Sequence, residues 1–407
     1  MIRKNTNLSG LAFFIILIIM GLSVQAQSLT TGQEVKFNPI TTAVPFLTIT
    51  PDSRHGAMGD VGAATSPDAN SQYLNPAKYA FADGDYGFSV SYTPWLRKLV
   101  SDINLAYLAG YYRIDKTQVI ASSLRYFSLG NILLTDQNGT DMANVKPNEF
   151  ALDFSYSRKL SDYFSGSVAL RFIRTDLAGG ISQQTYSAGN AFATDVSFYY
   201  NKTWKETVQT KKIAVGINFS NIGSKISYND GQTKEFLPAN LRLGATFTND
   251  FDNSNSLSVS LDLNKLLVPT PSSQIVSDNN GGTIVLPDNS SNQSVIGALF
   301  SSFSDAPGGF KEELQEVTIS TGLEYWFNKQ FALRTGYFNE AQNKGNRKFF
   351  TTGVGVKMKI CSVDLSYLIP TSQNNPLANT IQFTILFDAD SFRKVKNSPD
   401  VTNVAWK

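Results

Sequence analysis

From Tyr86 onward, apolar and small polar residues alternate along the chain. Tyr86, Phe88, Val90 and Tyr92 interleave with Gly87, Ser89 and Ser91. In an extended strand, successive side chains point to opposite sides, so this stretch carries one apolar and one polar face. The pattern recurs to the end of the chain, through Ile103-Leu105-Tyr107, Phe150-Leu152-Phe154-Tyr156, Ile213-Val215-Ile217-Phe219, Leu257-Val259-Leu261-Leu263 and Ile381-Phe383-Ile385-Phe387, among others. Together these segments predict about fourteen strands, an even number, as expected for a closed outer-membrane barrel.

Connection lengths test that prediction, because bacterial barrels have short periplasmic turns and long external loops. With a periplasmic N-terminus, the turns after the second, fourth, eighth, tenth and twelfth strands are expected to be short. Asp115-Lys116, Ser161-Asp162, the turn from Asn249 to Asn253, Asn328-Lys329 and the junction near Ile360 meet this expectation. The turn from Lys202 to Thr210 fits less well. The remaining connections are mostly longer, for example Leu129 to Pro147, Leu177 to Ala188, Gly223 to Pro238 and Pro269 to Gln315. A soluble sandwich or propeller has no reason to alternate loop lengths in this way. The expected fold class is all-β: an antiparallel transmembrane β-barrel of about fourteen strands, with an N-terminal plug, or hatch, inside the lumen.

The plug is expected over residues 54–83, where the alternation is missing. Arg54 to Ala77 reads RHGAMGDVGAATSPDANSQYLNPA, with Gly56, Gly59 and Gly62 three apart, so its backbone can approach other segments closely. Asp68 or Ser66 is positioned to cap a short helical turn through Tyr73, and Pro76 to end it. The bland alternative for this stretch is a Gly-rich surface loop. Before it, Arg3 and Lys4 lead an apolar run, Leu11 to Met20, followed by Val24-Gln25-Ala26, which reads as a signal peptide over 1–26. Residues 27–53 read as a Pro-interrupted arm, 84–388 as the barrel and 389–407 as a tail. No stretch approaches the eighteen continuous apolar residues of a membrane-spanning helix.

Composition adds limits. Aromatic residues make up 12% of the chain and charged residues 17%, yet the mean hydropathy is slightly negative, at −0.15. Strands that are apolar on one face only reconcile these values. The net charge of +2 argues against a nucleic-acid partner, which needs a strong basic excess. His55 is the single histidine and Cys361 the single cysteine, which removes most catalytic triads, His- and Cys-based metal sites and any internal disulfide. No phosphate loop or dinucleotide fingerprint is present. The expectation is a binding or channel protein without enzyme activity, metal or cofactor.

If the apolar faces meet lipid, the lumen receives Arg125, Arg171, Arg242, Arg334 and Lys357, with Asp153, Asp195, Asp262, Glu324 and Asp364. A charge facing lipid costs about 2–4 kcal/mol at the midplane, so these ten point inward, where they can pair with one another and with plug backbone. The bland reading is that they are solvated residues of an open pore. Tyr111, Tyr112, Tyr199, Tyr200, Trp326 and Tyr337 are expected at the interfacial girdles. In the long external connection, Val295, Leu299 and Phe303 recur every four residues and are expected to form one apolar, partner-binding face of a short helix. The alternative is that this face packs on the barrel rim or dips into the headgroup region. Its polar flanks, 277–283 and 287–293, are expected to let the loop reach outward.

The Gly-rich stretch followed by Asn75-Pro76-Ala77 resembles the hatch of FadL-type outer-membrane barrels, which have fourteen strands. More closely, RHGAMGDVGAATSPDANSQYLNPAKYAF, with the strand count and the long late loop, resembles the PorV (LptO) family of the type IX secretion system in Bacteroidota. That resemblance implies a non-enzymatic outer-membrane component that receives cargo bearing a C-terminal β-sandwich signal domain. It also implies work with a translocon barrel (Sov or SprA) and with PorU, PorQ and PorZ attachment proteins. Paralogous hatch barrels such as PorQ stay open, as does a FadL-like channel for small hydrophobic molecules.

Overall fold

Fourteen antiparallel strands close on themselves. They are β1 (Tyr86–Pro94), β2 (Asn104–Arg113), β3 (Gln118–Ser128), β4 (Asn148–Lys159), β5 (Phe164–Asp176), β6 (Gly189–Lys205) and β7 (Thr210–Gly223). They continue with β8 (Asn240–Asp250), β9 (Ser256–Leu266), β10 (Thr318–Phe327), β11 (Phe331–Asn339), β12 (Lys348–Lys357), β13 (Cys361–Pro370) and β14 (Ile381–Asp388). Each pairs with its sequence neighbour, and β1 pairs with β14 from Gly87↔Asp388 to Tyr92↔Phe383, which leaves the barrel without a free edge. This computed structural model describes residues 37–388, apart from 99, 136–137, 139, 178, 180–186, 208, 230–232, 272–273, 278–282, 287–291 and 373–374. The expected signal peptide, residues 27–36 of the arm, the tail and much of the loop flanks lie outside the described residues.

The turns at one end span only 114–117, 160–163, 206–209, 251–255, 328–330 and 358–360, which marks the periplasmic end. The 202–210 stretch that fitted poorly belongs mostly to the ladder: pairing of β6 with β7 runs down to Lys205↔Thr210, leaving a four-residue turn. At the other end, the 129–147 connection carries a small hairpin, Ile132–Thr135 with Asp141–Val145. The 267–317 connection carries the pair Gln274–Ser277 and Thr283–Leu286 and two short helices.

Burial follows the pleat. Along β5, Val168 and Leu170 are exposed while Ala169, Arg171 and Ile173 are buried, so the apolar set faces outward and the charged set inward. Of the six aromatic residues expected at the girdles, three turn inward instead. Tyr111 packs on Tyr79 at 5.2 Å and Tyr199 on Phe81 at 5.7 Å, while Arg334 lies 5.5 Å from the Trp326 ring. Each has the wrong parity for lipid: Phe198 faces outward, so its neighbour Tyr199 cannot.

Inside the wall runs the segment that breaks the alternation. Asn38 stands at the external rim, where its N–H donates to the carbonyl of Asn343 in the β11–β12 connection at 2.9 Å. The chain then descends through a 3₁₀ turn (Pro45–Thr48), α1 (Ser53–Gly56), α2 (Ser71–Leu74) and a second 3₁₀ turn (Pro76–Phe81). At the periplasmic mouth Arg113 donates to the Ala82 carbonyl at 2.5 Å, and β1 begins. The barrel thus starts at the periplasm, as its turn lengths require, but the first described residues lie at the outer rim. Pro76 both ends and restarts helical structure: Asn75 before it is extended (φ −169°), and its side chain accepts from the Ala77 N–H to cap the next turn.

Candidate functional site in the barrel lumen

The lumen is built from glycines on both partners. Gly59 sits at φ +68°, and a Cβ there would lie 2.7 Å from the backbone N and O of Tyr337. Across from it, a Cβ on Gly336 of β11 would lie 2.1 Å from the Met58 carbonyl carbon. Backbone meets backbone at that point, and only residues without a Cβ permit it. Gly56 and Gly62 are similarly enclosed, the latter by Leu74 and His55. An apolar cluster fills the external half around Phe46, Leu47, Leu105 and Ile173.

Around this backbone the inward charges form two networks and one separate pair. On one side Arg54 bridges Asp68 at 2.8 Å and Glu324 at 2.8 Å; Glu324 also binds Arg334 at 2.7 Å, which binds Asp364 at 2.6 Å. On the other, Arg171 binds Asp153 and binds Asp195 at 2.9 Å, and Arg125 lies 3.9 Å from the shared Asp153. Arg125 also lies 4.9 Å from the Tyr73 ring and donates to the Leu47 carbonyl. Asp262 takes Arg242 at 3.3 Å and the N–H groups of Gly62 and Ala63 at 2.8 and 3.0 Å. Nine of the ten expected lumen charges therefore sit in these networks. Lys357 has inward parity but is exposed at the periplasmic end of β12.

The inner segment joins the wall through hydroxyl groups as well. Ser157 and Ser165 donate to the carbonyls of Pro76 and Ala77 at 2.8 and 2.7 Å, and Asn75 donates to the carbonyl of Phe198 at 3.0 Å. Thus Arg54, Asn75, Pro76 and Ala77, singled out in the sequence, all contact the wall. His55 is fully buried, with Nδ1 2.9 Å from Asp52 and Nε2 3.1 Å from Thr65, which leaves it no ligand to hold. Among the described residues no carboxylate contacts Lys78: its ammonium donates to the Gly62 carbonyl and the Thr65 hydroxyl, and burial pulls its pKa down to about 8. Burial pushes Asp60 up, to about 6.

Several participants had no sequence signal. Asn221 sits at φ 59° in a bulge of β7, where its N–H reaches Asp195 and its side chain reaches Arg171 and the Pro238 carbonyl. Lys344 and the Glu340–Arg347 pair lie in the β11–β12 connection and line a cavity of about 510 Å³ on the external side of the plug. Arg171, Arg242, Asp60 and Tyr73 line it too, beside Ile40, Leu47, Ile49, Trp95 and Phe349, so its walls mix charged and apolar groups.

The expected partner-binding face is arranged differently. Val295 and Leu299 lie on α3 (Val295–Ser301) and pack against a rim cluster of Phe236, Ala239, Leu267, Val268 and Ala298. Phe303 is half exposed beside Lys265. The exposed apolar residues of this helix are instead Ile296 and Phe300. A spacing of four identified the stripe that the wall covers.

A family model described as "Type IX secretion system protein PorV" matches residues 32–274. No curated protein matches the chain. Among solved structures, the Ralstonia pickettii toluene transporter TbuX is 13% identical, with a TM-score of 0.42, covering 83% of this chain and 97% of its own. The TodX ΔS2S3 mutant monoaromatic hydrocarbon channel is 12% identical, with a TM-score of 0.45, over 82% and 97%. A Pseudomonas aeruginosa FadL homologue is 13% identical, with a TM-score of 0.39, over 86% and 99%.

Proposed function

Because the chain belongs to the PorV family of type IX secretion system proteins, we propose that it binds secreted cargo carrying a C-terminal signal domain and passes it from the translocon to the attachment complex. On this reading the 54–83 segment seals the barrel, the protein carries out no catalysis, and recognition takes place on external surfaces.

The observation that supports this reading is the buried ion-pair network that ties the inner segment to the wall. Arg54, Glu324, Arg334 and Asp364 form a continuous buried chain between plug and wall. A route for small hydrophobic molecules calls for an apolar pocket, whereas the cavity here sets Arg171, Arg242, Arg347 and Glu340 among its apolar residues. Deleting the gene tests the proposal. Cargo retained in the periplasm is the expected result; normal secretion with lost uptake of a hydrophobic nutrient would make the protein a FadL-like channel instead.

A further inference from the structure

Of the external helices, α3 lies against the outward side of the wall, and the helix Phe310–Gln315 crosses the rim, where Glu312 and Glu316 also hold Lys344 of the lumenal cavity. In β9, Asn264 and Leu266 line the lumenal cavity, so Lys265 between them has outward parity, in step with Val259, Leu261 and Leu263. Yet Lys265 is only 8% exposed. Its ammonium is held by Glu313 of α4 (Phe310–Gln315) at 2.9 Å and by Glu316 at 2.6 Å, and it lies 5.9 Å from the Phe303 ring. Phe219 and Leu241, also of outward parity, pack against the rim cluster that includes Ala298 of α3. The 295–316 segment therefore covers the top of the lipid-facing side of β7, β8 and β9.

Its own outer surface is apolar on one flank only. At about 100° per residue, Ala298, Val295 and Leu299 form the covered stripe of α3; Ile296 and Phe300 lie to one side of it, and Ser294, Gly297 and Ser301 to the other. Ile296 is 69% and Phe300 76% exposed. In α4 the carboxylates of Glu312 and Glu313 grip Lys344 and Lys265, while Phe310, 77% exposed, and Leu314 project away from them. Immediately below, the outward Leu243, Leu263 and Ile319 begin the exposed apolar belt of the barrel.

We propose that α3 and α4 form a collar that extends the lipid contact of the barrel above β7–β10, with Ile296 and Phe300 inserted among outer-leaflet lipids. The collar rests on the outward side of the rim, covers the outward Lys265, and carries the apolar surface of the barrel upward without a break. A helix with one apolar flank and one small polar flank is the form that lies in a membrane interface.

The test uses the full mature chain with Cys361→Ser, labelled at Phe300→Cys with an environment-sensitive fluorophore and reconstituted into phosphatidylcholine vesicles. Leu170→Cys, in mid-belt, is the lipid-facing reference, and Ile296→Cys is a second collar site. The expected result is at least a twofold loss of emission with doxyl-labelled lipid at both collar sites and no loss with a water-soluble paramagnetic quencher. Quenching from water alone overturns the proposal. So does shielding from both quenchers that appears only when the other secretion components are present, because that assigns the flank to a protein partner.

Discussion

Two irregular segments pack on opposite faces of the same wall, and they do so by opposite chemistry. The inner one, residues 42–82, uses glycines, serine hydroxyls and buried ion pairs; the outer one, residues 295–316, uses an apolar stripe and carboxylates that grip two rim lysines, Lys265 and Lys344. The inner face of the wall carries the charges, so whatever fills the lumen must be compatible with them. Leaving one unpaired at low dielectric costs far more than a paired contact returns. The outer face carries leucine and phenylalanine, so a segment resting there needs only complementary apolar shape, and its far side meets lipid or solvent.

This contrast is sharpest where a charge is removed. Glu324→Ala leaves Arg54 and Arg334 without their shared carboxylate inside the barrel, and breaking such a buried pair costs about 3–5 kcal/mol. The expected outcome is a large fall in the urea midpoint of the refolded protein, followed by tryptophan fluorescence. A midpoint within error of the parent would mean that the network contributes nothing to plug docking.

The next largest effect is steric. Gly59→Val places a branched side chain at φ +68° against Tyr337 backbone. Overpacking costs about 1–3 kcal/mol, and the left-handed conformation adds about 1–2 kcal/mol for a residue with a Cβ. Limited proteolysis is expected to cleave this variant inside residues 54–83 under conditions in which the parent stays intact. Equal resistance would show that the plug has room to move.

On the outer face the same kind of change is expected to be nearly silent. Phe300→Ser removes no contact with the wall, so thermal unfolding in detergent should shift by less than the effect of about 0.5 kcal/mol typical of a surface substitution. A larger shift would mean that Phe300 belongs to the rim packing with Ala298 and Leu299.

Much of the wall was legible in the sequence, for a physical reason. A strand exposed to lipid on one side must alternate, and a one-residue slip would turn charges outward, so pattern and register are tied together. The same rule identified the inward charges from Arg125 to Asp364. It could also have placed Tyr199, whose neighbours Phe198 and Tyr200 fix its parity, but aromatic residues near strand ends suggest a girdle more strongly than they suggest a lumen. The external helix was misread because amphipathic spacing identifies a stripe without saying what covers it: Val295 and Leu299 were legible as a face, and the rim that hides them was not. Asn221 and Lys344 gave no signal, since a bulge and a loop lysine become partners only once the barrel brings Asp195 and Glu316 beside them.

Single-channel recording in planar bilayers tests most directly the claim that the barrel is closed from within. The intact protein is expected to show no stable conductance, while deletion of residues 54–77 is expected to open a steady, ohmic pore lined by the ion pairs of the wall. Equal conductance from the two proteins, whether closed or open, would contradict the account.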